Sequence, residues 1–301
     1  MNRPRGNPVV TTIAPPPLSP GGRTAFRVFL VVVATVAVVG TVVALGATAW
    51  GVSTFRVVAD EKTLPAGTRT LTIDTGDVPA AVRLRTDRDA VEPRITMRLL
   101  DTARSGEQAL DVRTSGSDTR VVVAGARADV LGWGRAGEIT VSLPPETSRR
   151  LAVTTRQGTG VLFAGADLDS LTATNADGAV VLGGSARRLE VRTQDADVVT
   201  REPVAVAESF VADTVNGDVT VDFADAAPAT IEAATETGDV ALGLPDPGPY
   251  LVRASGTSTR VRVSETEDAG RAAARVTVRA GDGSAVVDRS GAPRLARHDR
   301  P

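Results

Sequence analysis

Thr214-Val215-Asn216-Gly217-Asp218-Val219 and, 21 residues later, Thr235-Glu236-Thr237-Gly238-Asp239-Val240 are two copies of one phrase: a threonine, a turn built on glycine and an acid, then a valine. Outward from this pair, the phrase recurs as Thr155 to Val161, Thr174 to Val180 and Thr193 to Val198, with a degenerate Ser255 to Val261 copy at the far end. The closing valines at 161, 180, 198, 219, 240 and 261 lie 19, 18, 21, 21 and 21 residues apart. Fixed spacing of this kind marks structural units that stack on one another.

Alternation before each turn sorts the apolar residues into columns. Leu151, Val153 and Thr155 correspond to Leu189, Val191 and Thr193, then to Phe210, Ala212 and Thr214, then to Ile231, Ala233 and Thr235. A period of two places each set on one face of a strand, where a one-residue slip would turn it outward. The Leu171 copy is out of step, because its apolar residues do not alternate in phase with Thr174. A coil of about 20 residues supplies three short strands and three turns, with like turns about 4.8 Å apart. The expected fold is therefore all-β, a parallel β-helix (β-solenoid) of such coils over residues 70–290. A β-sandwich also gives regular strands but does not require the same Thr and Val columns in every unit. Earlier strands are expected at Thr70–Val78, Ala81–Leu84, Ile95–Leu99, Arg120–Val123 and Glu138–Leu143, the last stopped by Pro144-Pro145. Stacked units cannot bury their end faces. The segment before Leu151 and the strands Arg275–Arg279 and Ser284–Asp288 are the candidate caps.

Ahead of the repeats, Val28 to Trp50 runs 23 positions without a charge, long enough for a helix to cross about 30 Å of hydrocarbon. Residues 26–50 thus read as one transmembrane α-helix, with 51–69 as a stalk. Arg3, Arg5, Arg23 and Arg27 precede it without an acid, which places the N-terminus in the cytoplasm and the C-terminal domain outside the cytoplasmic membrane. A cleaved secretory signal ending at Ala47-Thr48-Ala49 is the competing reading, although its apolar core would exceed the usual length of about 7–15 residues. Residues 1–25, rich in proline, and 291–301 read as disordered tails. The formal charge of −2 becomes −6 once those four arginines are set aside, and an acidic remainder argues against nucleic acid as a partner.

The composition leaves few chemical tools. Hydrophobic residues make up 42% of the 301 but aromatics only 3%, so the core must be narrow and filled by Val, Leu, Ile, Ala and Thr. There is no cysteine and one histidine, His298, in the Arg-rich C-terminal tail, so the usual nucleophile and base pairs are missing. Gly132-Trp133-Gly134-Arg135-Ala136-Gly137 has the glycine spacing of a dinucleotide site but precedes a strand pattern, whereas that motif must open a helix. No catalytic, cofactor-binding or metal-binding residue is assigned, and no cofactor is expected.

Asn216-Gly217-Asp218-Val219, Thr237-Gly238-Asp239-Val240 and Val141-Ser142-Leu143-Pro144 resemble the bacterial β-strand-repeat family of unknown function often labelled "putative adhesin". The resemblance covers about Thr70 to Asp288 and implies a β-helical envelope domain behind a membrane anchor, with no catalytic residues to carry over.

The acidic turns raise one chemical possibility. Asp197, Asp218 and Asp239 each precede a repeat valine and would stack as a column of carboxylates, with Arg260 at the equivalent place in the next coil. The column reads first as turn chemistry. Calcium binding is the alternative, although Ca²⁺ takes about 6–8 oxygen ligands. Paired carboxylates for glycan cleavage would be Asp195 with Asp197, or Asp167 with Asp169. The expected function is a non-enzymatic, membrane-anchored envelope protein that displays a rigid solenoid for adhesion, scaffolding or partner sensing, with an envelope glycan or protein as partner. A polysaccharide-active enzyme is the alternative.

Overall fold

The computed structural model describes residues 55–102, 109–124 and 137–291. Within them the chain is almost wholly strand, because its Val, Leu, Ile and Ala residues alternate with Thr, Asp and Arg and its breaks fall at Gly, Pro and Asp. Two hydrogen-bonded ladders share one interior. The first ladder runs through β5 (Ala109–Ser115), β6 (Asp118–Ala124), β2 (Thr70–Gly76), β8 (Ala152–Gly165), β9 (Asp167–Leu182), β10 (Ser185–Thr200), β11 (Ala205–Asn216), β13 (Thr230–Thr237), β17 (Ala274–Ala280) and β15 (Tyr250–Ser255). The second runs through β1 (Phe55–Thr63), β4 (Arg94–Thr102), β7 (Gly137–Leu143), β3 (Ala80–Thr86), the far halves of β8, β9 and β10, then β12 (Val219–Asp222), β14 (Val240–Leu244), β18 (Ser284–Arg289) and β16 (Ser258–Val261). The long strands β8, β9 and β10 turn a corner and belong to both.

The expected parallel β-helix is corrected by this topology. The sheet is mixed: β1 with β4, β4 with β7, and β5 with β6 pair antiparallel. The reason is local. Asp87–Pro93 folds the chain back after β3, and Gly116-Ser117 closes a two-residue hairpin with Gly116 at φ +61°, a conformation glycine adopts without steric cost. The far end also departs from simple winding. The strands β17 and β18 lie between β13/β14 and β15/β16, so they are interior, not the expected cap. The stretch expected as a stalk contributes strand β1.

The placement across the cytoplasmic membrane is likewise corrected. Among the described residues no helix is long and apolar enough to cross a membrane, and their one helix, α1 (Pro145–Ser148), has four residues. Among the described residues the strands from β1 onward pair with one another in one hydrogen-bonded sheet. The apolar run at 26–50, the tails at 1–25 and 292–301, His298 and the cleavage motif at 47–49 lie outside the described residues.

The core between the ladders consists of inward columns in strict register. Leu71, Val153, Leu171, Leu189, Phe210, Ile231 and Val276 form one, and Val82, Leu162, Val180, Val198, Val219, Val240 and Ala285 another. All of them are buried. Two assignments move. In the first copy Leu162 stands where Val161 was expected, and Val153 aligns with Leu171 and Leu189, which shifts that copy by two residues. The Leu171 copy then falls into step, with Asn175 in place of the repeat threonine. Phe210 and Phe223 meet edge to face at 5.1 Å, filling a cross-section otherwise lined by smaller side chains.

Candidate functional site

The corner between the ladders explains why the phrase repeats. Gly217 and Gly238 turn it at φ +148° and +143°, and a Cβ on Gly238 would lie 2.2 Å from the Gly217 carbonyl oxygen. Carbonyls at this corner accept side-chain hydrogen bonds from inside. Thr214 and Thr193 donate to Ala196 O at 3.1 Å, Thr235 to Gly217 O at 2.9 Å, Asn175 Nδ2 to Gly160 O at 3.2 Å and Gln157 Nε2 to Ala80 O at 3.1 Å. The repeat threonine is thus a buried donor, and Gln157 and Asn175 serve the same place in earlier copies. A carbonyl buried there without a donor would carry a desolvation penalty of about 1–3 kcal/mol.

On the outside of the corner the aspartates do structural work. Asp197 Oδ1 accepts the Asp218 amide at 2.8 Å, Asp218 Oδ1 the Asp239 amide at 2.9 Å, and Asp239 Oδ1 the Ser284 amide and hydroxyl at 2.8 and 2.9 Å. Each carboxylate therefore fastens one turn to the next. The expected Asp239–Arg260 neighbourhood does not form, because β18 with Ser284 occupies the adjacent position. Among the described residues no three His, Asp or Glu side chains gather as a metal site.

The acid pairs singled out for glycan chemistry are engaged as well. Asp195 accepts from Asn216 Nδ2 at 2.7 Å, and Asp167 accepts from Ser185 Oγ at 2.8 Å. Asp169 receives Arg187 Nε and Nη2 at 2.9 and 3.0 Å, while Glu208 bridges Arg187 and Arg188. The Arg187 hydrogen bonds hold the Asp169 carboxyl below its ordinary value of 3.8. A glycosidase acid needs the opposite shift.

The two outer faces differ. Outward residues of the first ladder are polar or charged for the most part, as in the cross-strand row Asp74, Arg156, Thr174, Arg192 and Asp213. The second ladder instead presents Phe163, Val181, Val199, Thr220, Ala241 and Val286 in one row, all half-buried. Two guanidinium groups converge on the aromatic end of this row. Arg83, directly across from Phe163, places Cζ 4.5 Å from the ring centroid, and Arg201, two strands away, places its own at 5.5 Å. Such exposed cation–π contacts contribute about 0.5–1 kcal/mol each.

The neighbouring outward row holds Arg85, Gly165 and, one residue past Leu182, Gly183. A Cβ on Gly165 or Gly183 would meet nothing nearer than 3.6 or 3.8 Å, so the backbone does not demand glycine at either place. Around this patch Arg83 Nε meets Glu138 at 3.2 Å, and Arg85 meets Ser142 Oγ at 2.9 Å and Asp87 at 3.4 Å. Exposed pairs of this kind are worth about 0–1 kcal/mol, so a competing anion can displace them. Arg85 itself lines a depression of about 440 Å³ together with Glu61, Asp87, Asp89, Glu92 and Arg94.

Sequence reasoning missed this patch, since Arg201 is far in the chain from Arg83 and Arg85 and Phe163 reads as one more apolar position. Of the glycine-spaced motif, residues 132–136 lie outside the described residues, and Gly137 opens strand β7.

No protein-family model matches the chain, and no curated protein matches it. Among solved structures it is similar to a putative adhesin from Parabacteroides merdae, at 10% identity over 77% of this chain and 96% of that one, with a TM-score of 0.42. It is also similar to a putative cell adhesion protein from Clostridium sporogenes (11% identity, 78% and 100% covered, TM-score 0.35). A third is named a putative lipid binding protein, from Parabacteroides distasonis (9%, 77% and 96%, 0.34). The names of the first two are in line with the resemblance drawn from the Asn216–Val219 and Thr237–Val240 phrases.

Proposed function

We propose that this protein is a non-enzymatic, adhesin-like binding protein that presents the outer face of its second ladder to a partner. The observation that carries this reading is the contrast between the two faces, one of them polar and the other bearing an apolar row with Arg83 and Arg201 gathered on Phe163. Interior ladders hold such a face rigid, because each strand is fixed on both sides. The carboxylates that an alternative polysaccharide-active enzyme would use are committed to turns and ion pairs. Incubating the purified full-length chain with a panel of cell-wall glycans tests both readings. Retention without cleavage is the expected result, and release of oligosaccharides would transfer the assignment to the enzyme.

A further inference from the structure

We propose that the Arg83–Phe163–Arg201 cluster is a binding site for an acidic polysaccharide, one chain lying across the strands along Phe163, Val181 and Val199. The inference rests on the binding reading above and supplies its partner class. Two cations drawn to one aromatic ring from opposite directions, with Arg85 in the adjoining row, form a place where a carboxylate or sulfate meets fixed guanidinium donors. Phe163 acts as a positioning residue that holds the two guanidinium groups.

The surroundings select among polyanions. Asp197 stands on the same outer face four residues before Arg201, an interval of about 13 Å of strand, and the depression that Arg85 lines with Glu61, Asp87, Asp89 and Glu92 adjoins the site. A thin single chain fits between these carboxylates. A nucleic-acid double helix would overlie them. An acidic peptide gains little here, because β3, β8, β9 and β10 are paired on both sides and leave no edge for strand addition. A sugar chain needs none, and its ring faces suit the apolar row.

The test measures binding of the full-length chain to polygalacturonate, with dextran as the neutral control and poly-glutamate and duplex DNA as rival polyanions. Polygalacturonate should bind about tenfold or more tightly than any of the three, and salt should weaken it. Arg201→Gln and Phe163→Leu should each weaken it about tenfold, with the Arg201→Gln melting temperature unchanged, while Arg156→Gln on the other face should bind like wild type. Equal affinity for dextran, poly-glutamate or DNA overturns the proposal, as does an Arg201→Gln protein that binds normally. If wild type and Arg201→Gln are held equally by cell-wall glycans, the site is refuted while the adhesin-like reading stands. If wild type is held by none of them, both fall.

Discussion

Replacing Gly238 by alanine tests the corner on which the stacking depends. The residue sits at φ +143°, where a side chain costs about 1–3 kcal/mol in backbone strain. Its new Cβ would also lie 2.2 Å from the Gly217 carbonyl oxygen, 2.8 Å from that carbonyl carbon and 3.0 Å from Asp218 Oδ1. Because the obstructing atoms are mostly backbone, relief requires the strands to separate, loosening the Thr235 hydrogen bond to Gly217 O and the Asp218 bond to the Asp239 amide. The sum is about 3 kcal/mol or more, and for a folded region of this size each kcal/mol lowers the melting temperature by about 2–4 °C. Thermal unfolding followed by circular dichroism should therefore show Gly238→Ala melting about 6–12 °C below wild type. Gly67→Ala, where a Cβ meets nothing within 4 Å, is the control and should stay close to wild type. If the two variants melt together, the corner geometry described above is wrong.

Two further predictions concern the interior and the charged edge. Val219 is fully buried, so Val219→Asp should cost about 3–5 kcal/mol through an unpaired buried charge, whereas Asp218→Asn keeps the oxygen that accepts the Asp239 amide and should change stability by less than about 0.5 kcal/mol. Chemical denaturation of both variants decides it, and equal midpoints would invert the inward and outward assignments. The hydrogen bonds of Arg187 hold the Asp169 carboxyl below its ordinary 3.8, and those of Arg188 and then Arg187 hold Glu208 below 4.5. Depressed carboxylate values mean stability that is present above those ordinary values and lost as pH falls through the folded ones. Wild type should accordingly lose more melting temperature between neutral and acidic pH than Arg187→Gln, and parallel pH profiles would count against the pairing.

How far the sequence carried the reading is visible at particular residues. The columns from Leu189 onward were legible because alternation fixes which residues share a face, and Thr193, Thr214 and Thr235 do stand in register. The earlier copies were misaligned because Gln157 and Asn175 perform the threonine's task with amides, a substitution of chemistry that a pattern of residue names conceals. The antiparallel turn-back at Asp87–Pro93 and the hairpin at Gly116 escaped notice because the expectation of uniform winding was extended past the phrases that supported it. The Phe163 patch was not legible at all. It joins residues separated by 80 and 38 positions, and only the lateral stacking of β3, β8, β9 and β10 brings them together.

By itself, then, the sequence determined an all-β chain with period-two strands, corners set by glycine and acid, and a core built mostly of aliphatic side chains. Those properties follow from local sterics and from alternation within one strand. The tertiary structure decided the strand directions at the first end, the insertion of β17 and β18 between β13/β14 and β15/β16, and the meeting of Arg83 and Arg201 on Phe163. These depend on which strand lies beside which, and hydrogen-bond pairing between distant segments is a choice made by the whole chain.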